Sequence, residues 1–192
     1  SPIVPAEEFV GKSGIEGKKG KYADWVYQGD HMLGQIMDAL EKNGQAQNTL
    51  LIATGDNGAA RRPYPPLREA KSSIYEGGHR EPFVARWPGK IKPGTVNHSI
   101  ICLNDFFATC ADILKSDLPA NAAEDSVSFL PNLMNEQDAP KRQAIINQAS
   151  EGLAIRQGFW KYIVFRNGTR ELYNLKEDIS ETKDVAKKNT AV

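Results

Sequence analysis

The run Thr49-Leu50-Leu51-Ile52-Ala53-Thr54-Gly55-Asp56-Asn57-Gly58 constrains this chain more than any other segment. Short and apolar, it has the character of a buried strand, and it stops abruptly in a carboxylate, a carboxamide and a glycine. In open α/β sheets ligands gather beyond the carboxyl ends of strands, and Asp56 and Asn57 occupy such a position. Both side chains present oxygen, the donor that a hard divalent cation such as calcium or magnesium takes. Gly58 lets the chain turn away without a Cβ in its path. Alone, Asp-Asn-Gly reads more readily as an Asx turn closing a strand, so its neighbours decide.

Upstream, residues 1–20 are rich in Pro, Gly and Lys and read as surface loop. Tyr22, Trp25, Val26, Met32, Leu33, Ile36, Met37 and Leu40 then recur at spacings of three and four, one apolar helix face. Its Trp and Met positions are expected in the core, with His31 one step off the stripe and structural or exposed. Asn43-Gly44 supplies the stop. Helix, short connection and strand make an αβ unit of the kind that builds a parallel sheet.

Downstream, Phe83–Trp87 is a second strand, and Ile100–Leu103 begins a third short element. A helix follows over Asp105–Leu114, with Asn104 as its N-cap and Phe106, Phe107, Cys110, Ile113 and Leu114 inward. Residues 115–140 read as loop. From 141 the grammar changes to short strands at 143–147, 153–156, 160–165 and 170–175, with Asn167-Gly168 as a hairpin turn. Strand upon strand implies a small antiparallel sheet. Ser180–Asn189 reads as a short terminal helix.

Composition narrows the function classes. Lys plus Arg equals Asp plus Glu at 24 each, so no global charge recruits nucleic acid or an anionic membrane. No apolar run approaches the roughly 20 residues of a membrane span. Cys102 and Cys110, eight apart in a helix or its approach, disfavour a disulfide and read as two buried thiols.

After the Pro-bearing loop at 61–66 comes Lys71-Ser72-Ser73-Ile74-Tyr75-Glu76-Gly77-Gly78-His79-Arg80-Glu81-Pro82-Phe83, then Arg86-Trp87-Pro88-Gly89. An apolar strand ending in Asp-Asn-Gly, a loop, Lys-x-x-x-Tyr-Glu-Gly-Gly-x-Arg-x-Pro and a Trp-Pro-Gly turn resembles the second half of a formylglycine-dependent sulfatase. Arg156-Gln157-Gly158-Phe159-Trp160-Lys161 and Glu171-Leu172-Tyr173-Asn174-Leu175 resemble the carboxy-terminal text of the same family. The resemblance implies an alkaline-phosphatase-like α/β fold. Residues 1–140 would carry part of its main mixed or parallel sheet with helices, and 141–192 a small antiparallel subdomain.

It also implies the chemistry of sulfate-ester hydrolysis. Asp56 and Asn57 match the family's ligands for a divalent cation, usually calcium, with magnesium as the alternative. Lys71 matches the lysine that touches the sulfate and offsets charge on the leaving oxygen. Glu76-Gly77-Gly78 is expected to be architectural, Glu76 bonding backbone amides, with Arg80 paired to a carboxylate such as Glu81. His79 is expected to pack, and His98 to be exposed. Arg61, Arg62, Tyr64 and Arg68 in loop 59–70 read equally as a solvated loop or as a surface for an anionic or sugar-like substrate.

The formylglycine nucleophile, two more metal carboxylates and a proton-handling histidine are implied upstream of Ser1. Neither cysteine has the Pro two residues on that a formylglycine motif requires. Under this resemblance the chain is the carboxy-terminal portion of a longer protein, inactive by itself and completed by the missing amino-terminal part. Its substrate is a sulfate ester, carbohydrate sulfates among them, and its setting the periplasm or the extracellular space. A metal-dependent phosphoesterase or phosphonate hydrolase of the same superfamily is the alternative. It fits less well, because His31, His79 and His98 lack the His-Asp spacing of a two-zinc site. A non-catalytic metal-binding module is the third reading.

Overall fold

The computed structural model describes residues 3–60, 64–136, 138–139 and 142–188. Contacts divide the chain into two compact units. One runs to Ala53 and includes Arg86–Lys90; the other holds Thr54–Ala85 and the chain from Ile91 onward.

The first unit is dominated by helix α1, Gly20–Lys42. Asn43 closes it, its side-chain amide donating to the Ala39 carbonyl at 2.7 Å, and Gly44 follows at φ +66°. The helix is fixed at its start by Asp24, which is buried and accepts from the Gly11 and Ser13 amides and the Ser13 hydroxyl at 2.9, 3.0 and 2.7 Å. Those hydrogen bonds hold the Asp24 carboxyl below its ordinary range, the Ser13 hydroxyl contributing most. The apolar stripe of α1 does not form a core in this chain. Trp25, Met32 and Ile36 remain 46%, 51% and 49% exposed, and the buried helix residues are Gly20 and Asp24. Periodicity reports which residues share a face, and something must still cover that face. His31 is exposed, its ring 5.2 Å from that of Phe9.

Strand β1, Leu51–Thr54, follows, and β2 is Phe83–Arg86. The expected share of a mixed or parallel main sheet is corrected here. The strands make two small separate sheets, β1 with β2, and the antiparallel meander β3 (Ile145–Ala149), β4 (Gly152–Gln157), β5 (Trp160–Phe165) and β6 (Arg170–Asn174). A parallel sheet needs repeated helical crossovers with both faces covered. This chain supplies one helix–strand unit and one following strand, and joins its other strands by tight hairpins. Gly168, at φ +84°, turns β5 into β6.

Along the chain α2 (Glu76–His79) falls between β1 and β2, and α3 (Asp105–Leu114) and α4 (Leu130–Leu133) fall between β2 and β3, α4 inside the stretch expected to be loop. Ile100–Leu103 is irregular, and a single 3-10 turn at Ala186–Lys188 stands where a terminal helix was expected. The face of α3 is also rotated from expectation. Phe107 and Leu114 are 57% and 75% exposed and Cys110 is exposed, whereas Asp105 and Thr109 are buried. Buried polar groups need partners, and both have them. Asp105 takes the Cys102 and Val127 amides and pairs with Arg142; the Thr109 hydroxyl donates to the Asp105 carbonyl and accepts the Phe129 amide. Asn104 sits at the N-cap position without capping.

The core of the second unit joins Ile74 and Tyr75 to Ala154, Ile163, Tyr173 and Leu175 of the meander and the residues after it. Ile74 and Tyr75 immediately precede α2, so this core fixes the segment that follows Lys71.

Candidate functional site

Gly58 is buried, and its N–H donates to the Gly78 carbonyl at 2.9 Å. A Cβ on Gly58 would meet the Gly77 carbonyl oxygen at 1.8 Å. The glycine is needed for close approach of two backbones, so the Asp56-Asn57 turn rests directly on the Gly77-Gly78 segment. Lys71 is tied to the same turn by its N–H, which donates to the Ala59 carbonyl at 3.2 Å. Ser72 follows at φ +78°, a left-handed conformation that a residue with a side chain adopts at a cost.

Asn57 and Lys71 line one cavity of about 370 Å³, with Ser73, Ile74, His79 and the β3 end of the meander. Asp56 lines an adjoining cavity of about 520 Å³ with Glu81, Arg80, His98 and the irregular stretch 97–103. The side chains of Asn57 and Lys71 make no hydrogen bond or ion pair among the described residues.

Asp56 and Asn57 fit a hard cation in donor chemistry but offer only part of a coordination sphere. Among the described residues no three His, Cys, Asp or Glu side chains gather closely enough to hold a metal. One local observation is consistent with positive charge being wanted there. Burial, then the negative charge of Asp56, raises the Glu81 carboxyl above its ordinary range, and Glu81 Oε1 is buried without a hydrogen-bond partner. Glu81 lies against Gly55, where a Cβ would come within 2.1 Å of its Oε2.

Glu76 departs from the sequence reading. Its side chain, 1% exposed, binds cations rather than backbone amides. Lys161 Nζ lies 3.1 Å from Oε1, Arg156 and Arg80 each 3.3 Å from Oε2, and His79 Nε2 3.2 Å from Oε1. Arg80 therefore pairs with Glu76, not Glu81. Burial alone would raise the Glu76 carboxyl, but His79, Lys161 and Arg156 together outweigh it and hold it down to about 2. Lys161 is itself fully buried and forms a second ion pair at 2.8 Å with Glu181, also fully buried. That contact lacks hydrogen-bond geometry, leaving Glu181 Oε1 without a hydrogen bond. The other oxygen of Glu181 accepts the Glu76 N–H at 2.6 Å. Glu181 is pushed up by burial, only partly offset by Lys161.

This network was not legible in the sequence. Arg156 and Lys161 are cross-strand partners on one face of the meander, and like charges so placed repel. The Glu76 carboxylate lying against both makes the arrangement tolerable. Arg68, read equally as a solvated loop residue or as part of a substrate surface, is neither and turns toward the core. Its guanidinium lies 3.7 Å from the centre of the Tyr75 ring and donates to the Tyr173 hydroxyl and the Glu181 carbonyl at 3.2 and 2.7 Å. Tyr64 is 73% exposed, and Arg61 and Arg62 lie outside the described residues. His98 is exposed, as expected. Both thiols are free, Cys110 exposed and Cys102 half-buried rather than the two buried thiols expected, and burial pushes Cys102 up to about 11.

Comparison with known proteins decides the family. The sulfatase family model matches residues 6–116, and the model for the N-sulphoglucosamine sulphohydrolase C-terminal region matches 70–192. The chain belongs to the sulfatase family. This sulfatase chain is 34% identical over 222 residues to an N-acetylgalactosamine-6-O-sulfatase of Bacteroides thetaiotaomicron, covering 100% of itself and 42% of that relative. The human N-acetylgalactosamine-6-sulfatase is 33% identical over 141 residues, which cover 70% of this chain and 26% of the human protein. Among solved structures, one from work on glycosaminoglycan metabolism by Bacteroides thetaiotaomicron superposes with a TM-score of 0.85 at 34% identity, over 98% of this chain and 45% of its own. The structure of Ps i-CgsB, also solved with a neocarrahexaose, superposes at 0.85 and 28% identity, over 100% and 44%. The chain thus spans less than half the length of these relatives. A phosphonate monoester hydrolase shares the fold alone, at 24% identity and a TM-score of 0.67.

Proposed function

We propose that the protein carrying this chain hydrolyses sulfate esters on carbohydrates, with Asp56, Asn57 and Lys71 in its active site. The observation that carries the reading is the pairing of Asn57 and Lys71 in one cavity, their polar ends uncommitted, immediately beyond the strand that delivers Asp56. Lys71 brings an ammonium for the sulfate oxygens and for charge developing on the leaving oxygen. Asp56 and Asn57 hold calcium, or magnesium, through side-chain oxygen; when bound, the cation supplies Lewis-acid charge to a sulfate oxygen. The nucleophile, a formylglycine, and the remaining metal ligands come from a segment upstream of this chain, which also covers the open face of α1. Export to the periplasm or beyond the cell accords with a polymeric carbohydrate substrate. Among the described residues no helix is long and apolar enough to cross a membrane.

The test is an assay of the intact protein on N-acetylgalactosamine 6-sulfate, the sugar sulfate named for two relatives, beside the matching phosphate monoester. Release of sulfate well above release of phosphate is expected. Preference for the phosphate ester would favour the phosphoesterase alternative, and hydrolysis of neither, with metal bound, would favour a non-catalytic module.

A further inference from the structure

Two residues, His79 and Asn147, line both cavities of the site and so form the wall between the side that holds Asp56 and the side that holds Asn57 and Lys71. They arrive from opposite directions. His79 ends α2; Asn147 is the central residue of β3. The alternation of β3 makes Asn147 the anomaly. Ile145, Asn147 and Ala149 share the more buried face of that strand, and a carboxamide stands between two apolar residues. Its cross-strand partner is Ala154, which offers no hydrogen bond from its side chain. The Asn147 carboxamide makes none among the described residues. Half-buried and lining both cavities, the carboxamide has no protein partner among those residues and is open to hydrogen bonding with what enters them.

His79 is the reverse case, a side chain fixed on one edge. Nε2 is engaged by Glu76, whose carboxylate is anchored by Lys161 and Arg156. With one ring nitrogen engaged, Nδ1 is left for hydrogen bonding, and a quarter of the side chain is exposed. With Nε2–H given to a carboxylate, Nδ1 of a neutral imidazole accepts, while the carboxamide, uncharged, both donates and accepts. That chemistry suits sugar hydroxyls, whereas Lys71 suits the sulfate.

We propose that His79 and Asn147 read the ring hydroxyls of the sugar whose sulfate Lys71 contacts, and so set which configuration of sulfated sugar is cleaved. This inference rests on the sulfatase reading above. A site built to hydrogen-bond a substrate hydroxyl discriminates strongly, because the wrong isomer leaves its polar groups unpaired.

The experiment compares kcat/KM of the intact enzyme on N-acetylgalactosamine 6-sulfate and N-acetylglucosamine 6-sulfate, which differ in one hydroxyl. Wild type, His79→Ala and Asn147→Ala are measured. The wild type is expected to prefer one sugar by at least about tenfold, and each variant to lose most of that ratio, chiefly through KM for the preferred sugar. A wild type that does not discriminate, or variants in which both sugars fall by the same factor, overturns the proposal. His79→Ala also removes a partner of Glu76, but Asn147→Ala leaves that network untouched and carries the test if the first variant is poorly folded. Hydrolysis of neither sugar by the wild type would fault the sulfatase reading itself.

Discussion

Replacing Lys161 by Met should destabilise the protein by about 3–5 kcal/mol, the usual cost of removing one partner from a buried ion pair. The structure shows where that cost arises. Lys161 is 0% exposed and serves two buried carboxylates, at 3.1 Å from Glu76 and 2.8 Å from Glu181. Without it, Glu76 keeps Arg80, Arg156 and His79. Glu181 keeps one backbone N–H and no cation among the described residues. The penalty therefore falls mainly on Glu181, so neutralising that residue should relieve it. Glu181→Gln alone should cost little, because burial already pushes this carboxyl up and Gln can still accept the Glu76 N–H. The double variant Lys161→Met, Glu181→Gln should recover about 2 kcal/mol relative to Lys161→Met, a strongly non-additive cycle. Urea unfolding of the four proteins measures all the terms; with a slope near 2 kcal/mol/M, the Lys161→Met midpoint falls by about 2 M. A loss below about 1 kcal/mol, or a double variant as weak as the sum of its parts, would refute the assignment of the cost to stranded charge.

Two further outcomes are expected. Glu76, held at about 2 against an ordinary 4.5, binds fewer protons folded than unfolded. Its contribution of about 3 kcal/mol is therefore complete above pH 5 and lost as pH falls toward 2, with about 2 kcal/mol gone by pH 3. Glu76→Gln should flatten that acid limb in urea titrations between pH 6 and 3, and an unchanged limb would contradict the network. Asp56→Ala in the intact protein should abolish calcium binding by calorimetry; wild-type affinity in the variant would remove Asp56 from the ligand set.

How far the sequence foretold this molecule depended on whether a residue's environment was local. The Asp56-Asn57 turn was legible because its signal lies in ten consecutive residues. Gly58, Gly77 and Gly78 were recognisable as architectural, yet the reason, carbonyl oxygens where Cβ atoms would stand, needs two segments seen together. In β5 hydrophobicity misleads outright. Trp160 and Val164 are 47% and 38% exposed while Lys161 is buried on the face it shares with Ile163, where a carboxylate 85 residues away meets its charge. The same holds for α3, where Asp105 and Thr109 take the inward face because Arg142 and the Val127 and Phe129 amides meet them. In α1 the helix was legible, but the stripe expected in the core stays largely exposed among the described residues. The antiparallel meander was foreseen, but the share of a mixed or parallel main sheet was not borne out, since strand pairing is a property of partners.

The central claim is that Lys71 faces a sulfate ester in the cavity it shares with Asn57. The most direct measurement is the turnover number of Lys71→Ala in the intact enzyme on a sugar sulfate, with melting temperature as the control for fold. The account predicts a fall in kcat of about 10²–10³ with the melting temperature unchanged, the scale for losing one charge-stabilising group. A kcat within about threefold of wild type would contradict it.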